Sequence, residues 1–189
     1  MSFGLLAVAA MLLVLERASY VWIARAPRAF RRWCGHPPVA RLGEPVAIVR
    51  ALFVGFKVVQ LSVFAGWCLA LGEGRLLPSE QDPAAVAVGV VAIVVGQALN
   101  VLVFYRLGRV AVFFGDRLGH EVPWCQEFPF SVLRHPQYIG AVLTIWGFFL
   151  VARFPHDDWY LLPVLETVYY VIGAALEGGD TPEPNEVMA

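Results

Sequence analysis

From Ala84 to Tyr105 the chain carries no charged residue, and valine and alanine dominate the run. A stretch of about 20 apolar residues is what a helix needs to cross a bilayer, and in lipid only a helix or a closed barrel satisfies every backbone polar group. Four further stretches resemble it: about Ser2 to Ala24, Val46 to Leu71, Gln137 to Ala152 (short for a full span) and Trp159 to Leu176. The last two are separated by Arg153, Pro155, Asp157 and Asp158 and read as a helical hairpin. Apolar residues make up 59% of the 189 and charged ones only 15%, well below a soluble domain. The expectation is an all-α, multi-pass transmembrane bundle of about five helices, one domain over 1–178, with an acidic, proline-bearing tail at 179–189 too polar to order itself. Nothing before the first stretch resembles a basic leader and no clean cleavage site follows it, so that helix is expected to be retained.

Charge orients the bundle. Arg25, Arg28, Arg31, Arg32 and Arg41 follow the first stretch, and Arg106, Arg109, Arg117 and Arg134 follow the third. The other loops carry few cations, so the positive-inside rule puts loops one and three, and the C-terminus, in the cytoplasm. Trp67, Trp124 and Trp159 fall near expected helix ends, where aromatic residues anchor to the interface. Net charge is −1, which suggests no nucleic-acid partner. Cys34, Cys68 and Cys125 have neither disulfide nor zinc spacing, so no metal is expected.

Loop three, residues 108 to 140, is too polar to span and too apolar for a plain linker. It holds Pro123, Pro129 and Pro136 with Gly108, Gly115, Gly119 and Gly140. Long connections of this kind are usually functional. Pro136 suits the first position of the fourth helix, with His135 as its N-cap. Free N–H groups and the helix dipole make such an end a site for a carboxylate or phosphate, and Arg134 and His135 add donors. On the fifth helix Glu166 and Glu177 are about three turns apart and share a face with Tyr170 and Gly173. Glu166 lies deep in the span, where an ionisable group is costly. Lys57 and Gln60 in the second helix, and Gln97 and Asn100 in the third, also need partners inside the bundle. The plain reading is interhelical hydrogen bonding, with Glu166 a candidate partner for Lys57.

These residues resemble a known family. Arg134-His135-Pro136-x-Tyr138-x-Gly140, followed by a glutamate at the end of the last helix, resembles the phospholipid and isoprenylcysteine carboxyl methyltransferase superfamily, and most closely its plant-type phospholipid N-methyltransferases. Gly96-Gln97-x-Leu99-Asn100, Lys57-x-x-Gln60 and the loop pattern Phe114-Gly115, Gly119, Pro123-Trp124, Phe128-Pro129-Phe130 look like theirs as well. The resemblance covers about residues 45 to 180. It departs at two positions: Gly178 stands where many relatives have a second glutamate, and Ala111 where they usually have glycine.

The resemblance implies a helical membrane enzyme that holds S-adenosylmethionine at the cytoplasmic face, between loop three and the start of the fourth helix, and methylates phosphatidylethanolamine or its mono- and dimethyl derivatives toward phosphatidylcholine. The implied cofactor contacts are Gly115, His135, Pro136, Tyr138 and Glu177; Arg134, beside His135 at the helix start, would join them by binding the cofactor's carboxylate. His135, Glu177 or Glu166 would accept the amine's proton, and Arg109 or Lys57 would hold the lipid phosphate. Other readings are an isoprenylcysteine or small-thiol methyltransferase, a sterol reductase using NADPH, and a non-enzymatic transporter or assembly protein that uses Lys57 and Glu166. The membrane is the endoplasmic reticulum or a bacterial inner membrane.

Overall fold

The structure, a computed structural model, describes residues 2–78, 80–122, 125–152 and 158–177. Pro123, Trp124, Arg153, Pro155, Asp157, Gly178 and the tail at 179–189 lie outside them. All regular elements among the described residues are helical: α1 (Ser2–Arg25), α2 (Pro27–Cys34), α3 (Pro37–Ala40), α4 (Pro45–Leu71), α5 (Pro83–Val112), α6 (Pro136–Val151) and α7 (Leu161–Glu177). The protein is a helical membrane bundle. Each of the five apolar stretches forms a helix, and α1, α4 and α5 are long and apolar enough to cross a membrane. With 16 and 17 residues, α6 and α7 fall short of the usual length.

Local chemistry sets the boundaries. Proline opens α4, α5 and α6 at the helix start, where its missing N–H costs nothing. Asp82 caps α5 by accepting from the Ala84 N–H at 3.0 Å. Gly108, at φ 73° and ψ 170°, breaks α5 and leaves one last turn to Val112; only glycine takes that conformation without strain. The two short helices in loop one were not expected. In α2, Phe30 and Cys34 are buried while Arg28, Arg31 and Arg32 are exposed. That split suits a helix lying in the membrane interface.

The spans form an open ring. α5 packs antiparallel along α6, α6 on α7, α7 on α1 and α1 on α4, while α4 and α5 make almost no contact with each other. The α5–α6 seam runs backbone to backbone. Gly96 faces Gly140 and Gly89 faces Gly147, and a Cβ on Gly147 would come within 2.5 Å of the Gly89 carbonyl oxygen. Small residues at such a seam are how membrane helices gain packing when lipid gives no hydrophobic drive. Gln97 also donates to Thr144 Oγ1 across the seam at 3.0 Å.

Trp67 departs from expectation. It is 1% exposed and sits in a core with Phe64, Ile145, Phe149 and Leu162. α4 runs a full turn past it to Leu71, so the indole packs inward and is not an interface anchor. Lys57 also differs from the simple pairing. Lys57 Nζ donates to Gln60 Oε1 at 2.8 Å, and Gln60 Nε2 donates to Glu166 Oε1 at 2.5 Å. Its ion-pair partner is Glu16 Oε1 at 3.1 Å. Gln60 is thus what satisfies the buried Glu166 carboxyl. Gln60→Leu is expected to destabilise the bundle by about 3 kcal/mol, because it strands a buried acid; Gln60→Leu with Glu166→Leu should recover most of the loss. Thermal unfolding in detergent compares the two.

Candidate functional site

A cavity of about 660 Å³ fills the inside of the open ring. α4 supplies Phe53, Lys57, Gln60 and Phe64; α5 supplies Gln97, Asn100 and Phe104; α1 supplies Glu16, Arg17 and Tyr20. One end is closed by the start of α6, the end of α7 and loop three, through Arg134, His135, Pro136, Tyr138, Glu177, Phe113, Phe114 and Phe130. Phe113 is the plug there. Its ring meets Phe53 of α4 at 5.5 Å and Phe104 of α5 at 5.9 Å, bridging the two helices that otherwise stand apart. An ion pair from Arg106 to Glu127 ties the loop back to α5.

Arg134, His135, Pro136, Tyr138, Glu177 and Lys57 therefore line one cavity, although they come from three parts of the chain. Gly115, Glu166 and Arg109 do not line it. Gly115 is buried in the turn after α5, where its N–H donates to the Val110 carbonyl at 2.9 Å. A Cβ there would lie 2.5 Å from that same oxygen, so the glycine permits the turn that aims Phe113 and Phe114 inward. Glu166 stands behind Gln60. Arg109 is exposed. Ala111 does line the wall.

The chemistry at the closed end is specific. The Tyr138 hydroxyl donates to Glu177 Oε2, while Glu177 Oε1 is buried and has no partner among the described residues. A carboxylate with one oxygen tied and one left over is an acceptor waiting for a cation. Next to it, His135 caps α6 through its backbone only and makes no side-chain capping bond; its carbonyl takes the Tyr138 and Ile139 N–H groups at 3.1 Å and Pro136 has none, which leaves the Gln137 N–H of the first turn for an anion. Burial, reinforced by the charge of Arg134, holds the His135 pKa below its ordinary value, so the imidazole is neutral near pH 7. Its ring stacks on Tyr138 with centroids 5.9 Å apart. An unpartnered carboxylate oxygen, donors at a helix N-terminus and several aromatic faces thus share one wall.

The residues that sequence reasoning passed over are Glu16, Arg17 and Tyr20. Glu16 is 3% and Arg17 6% exposed. The Arg17 guanidinium lies 3.8 Å over the Tyr170 ring, with Tyr20 and Tyr138 at 5.5 and 5.8 Å. The signal was present, because two ionisable residues inside a predicted span are a functional flag.

Residues 84–178 match the family model described as phospholipid methyltransferase. Phosphatidyl-N-methylethanolamine N-methyltransferase of Arabidopsis thaliana is 44% identical over 50 residues, which is 26% of this chain and 30% of that protein. Phosphatidylethanolamine N-methyltransferase of Homo sapiens is 29% identical over 145 residues, 75% of this chain and 70% of that one. The Mus musculus enzyme of the same name is 36% identical over 81 residues, 42% and 40% of the two chains. The match thus spans under a third of the plant relative's length. No solved structure matches the chain. The family model takes in α5, loop three, α6 and α7, the elements that build the closed end of the cavity, and the chain belongs to the phospholipid methyltransferase family.

Proposed function

We propose that the chain is an S-adenosylmethionine-dependent N-methyltransferase acting on phosphatidylethanolamine or its mono- and dimethyl derivatives, with its site and C-terminus on the cytoplasmic side. The observation that carries the reading is the free Glu177 oxygen beside the uncapped N-terminus of α6. A zwitterionic amino-acid moiety needs that pairing. The donor set fits: Glu177 and the Tyr138 hydroxyl take the ammonium, while Arg134, His135 and the first turn behind Pro136 take the carboxylate. The rings of Phe113, Phe114 and Tyr138 suit a sulfonium by cation–π attraction. When bound, S-adenosylmethionine supplies an electrophilic methyl group on sulfur.

The chain's own part is to position and to accept a proton. In-line displacement gains most of its rate from orientation, which the rigid α5–α6 seam and the Phe113 plug provide. Neutral His135 lines the cavity and can accept the proton that the amine gives up. Glu166 acts at one remove by fixing Gln60. Leu61 is 63% exposed and Gln97 is also exposed, yet both line the cavity between α4 and α5. That gap offers a lipid a sideways route from the bilayer, and Lys57 stands on it.

The test uses purified protein in nanodiscs, labelled methyl donor, and three acceptors: phosphatidylethanolamine, its methylated forms, and an isoprenylcysteine peptide. Label is expected in the lipids. Label in the peptide alone would replace the lipid reading with the thiol- or carboxyl-directed one, and a failure to bind the donor would remove the enzyme reading. His135→Ala is expected to weaken donor binding by about tenfold, the worth of one hydrogen bond at a partly buried site, as read by calorimetry.

A further inference from the structure

We propose that Arg17 and Lys57 form a site for the phosphodiester of the lipid acceptor, so that the chain recognises phosphate as well as amine. The anion's identity rests on the lipid reading above; the site itself rests on geometry. Arg17 is 6% exposed and lines the cavity, and its Nε has no acceptor among the described residues. The guanidinium stacks on Tyr170, and Nε keeps a donor that no protein acceptor uses.

Arg17 and Lys57 lean on a single carboxylate oxygen. Glu16 Oε1 lies 3.2 Å from Arg17 and 3.1 Å from Lys57, yet it makes no aligned hydrogen bond. Arg17 Nε is unused and the Lys57 ammonium gives one hydrogen bond to Gln60, so both cations retain donors. The other acids of the cavity wall and its support are engaged, Glu166 by Gln60 and Glu177 by Tyr138. Two cations deep in a span, where ionisable groups by default mark function, thus converge on one carboxylate oxygen and keep donors for a second acceptor. A phosphodiester carries one negative charge and two free oxygens, and cations from two neighbouring helices match both features.

Position supports the same ligand. The guanidinium carbon is 5.8 Å from the Tyr138 ring, whose hydroxyl bonds Glu177. A phosphate held at Arg17 would let its two-carbon arm bring the amine to the Tyr138 ring, the face assigned above to the sulfonium. The methyl donor's carboxylate is the other anion of this chemistry, and the experiment separates the two.

Two acceptors with the same acyl chains are compared, phosphatidylethanolamine and a phosphate-free aminoethyl ether of diacylglycerol. Arg17→Met is expected to lower the ratio of their kcat/KM values by about 50-fold, the loss of charge-assisted hydrogen bonds to phosphate, with donor affinity as in wild type. Lys57→Met should lower the ratio by about tenfold. Arg17→Lys should restore most of it and also serves if the methionine variant does not fold. Equal loss on both acceptors would make Arg17 structural and overturn the proposal. So would a loss of donor affinity, which would give the anion site to the donor's carboxylate. If wild type methylates neither acceptor, the enzyme reading fails while the site remains testable. Calorimetry with a short-chain phosphatidylethanolamine and no donor then decides it: binding weakened in Arg17→Met supports the site, and binding unchanged or absent in wild type overturns it.

Discussion

Glu177→Gln is expected to remove measurable methylation while the bundle stays folded. The substitution keeps the shape of the side chain and an oxygen for the Tyr138 hydroxyl, so packing around α7 has little reason to change. It removes the negative charge beside an unpartnered oxygen in a cavity mostly lined by apolar and aromatic groups. A charged hydrogen bond in such surroundings is worth about 2–3 kcal/mol, so the methyl donor's Kd should rise by about 30- to 150-fold. Calorimetry in detergent gives the affinity, and thermal unfolding gives the control. Wild-type affinity in Glu177→Gln would take the residue out of the site.

The second large effect is structural. Gly140→Ala is expected to cost several kcal/mol, about 3 or more if the helices must separate, although alanine is the better helix former. The new Cβ would meet the Gly96 carbonyl oxygen at 2.7 Å and Asn100 Oδ1 at 2.8 Å. The Gly96 oxygen belongs to the helix backbone and cannot yield cheaply, whereas Asn100 Oδ1 has no hydrogen-bond partner among the described residues and can shift only within the packed seam. Gly55→Ala is the contrast. Its Cβ would meet nothing within 4 Å, so the same change should stabilise the chain by up to about 1 kcal/mol. Unfolding of the two variants side by side is the measurement. Equal effects would mean that the α5–α6 seam is not packed backbone to backbone.

These cases show what could be read from the chain. Five apolar runs announced five helices because hydrophobic length is a local property. Pro136 and the Glu166–Glu177 spacing likewise placed a helix start and a helix face correctly. The amphipathic split of α2 was equally local but is short enough to be lost in an arginine-rich loop. Partnerships were harder. Lys57 and Glu166 are joined, but through Gln60, and Glu16 takes the direct ion pair. Adjacent opposite charges at Glu16 and Arg17 look self-cancelling in a sequence, whereas the fold turns the guanidinium onto Tyr170 and into the cavity. Gly115 marked the right turn, but its value lies in the carbonyl it avoids. The cavity exists because α4 and α5 fail to meet, and no single segment encodes that.

The register of α5 against α6 has one more consequence. From the Gly96–Gly140 crossing, α5 continues eleven residues to Leu107 before its break, while α6 reaches back only four residues to Pro136. At 1.5 Å per residue the longer helix overshoots the shorter by about 10 Å. The dipole of α6 therefore begins at the floor of a well, with Phe113, Phe114 and Phe130 over it, and not at the rim. Arg134 stays exposed at the mouth and His135 half-buried, but the Glu177 Oε1 beyond them is out of reach of water, so its charge acts at several times its strength in solution. It is also shielded from dissolved salt, whose ions screen exposed pairs far more than recessed ones. Ionic strength should then bear on the arginines of α2 at the surface and leave the chemistry of the well almost untouched.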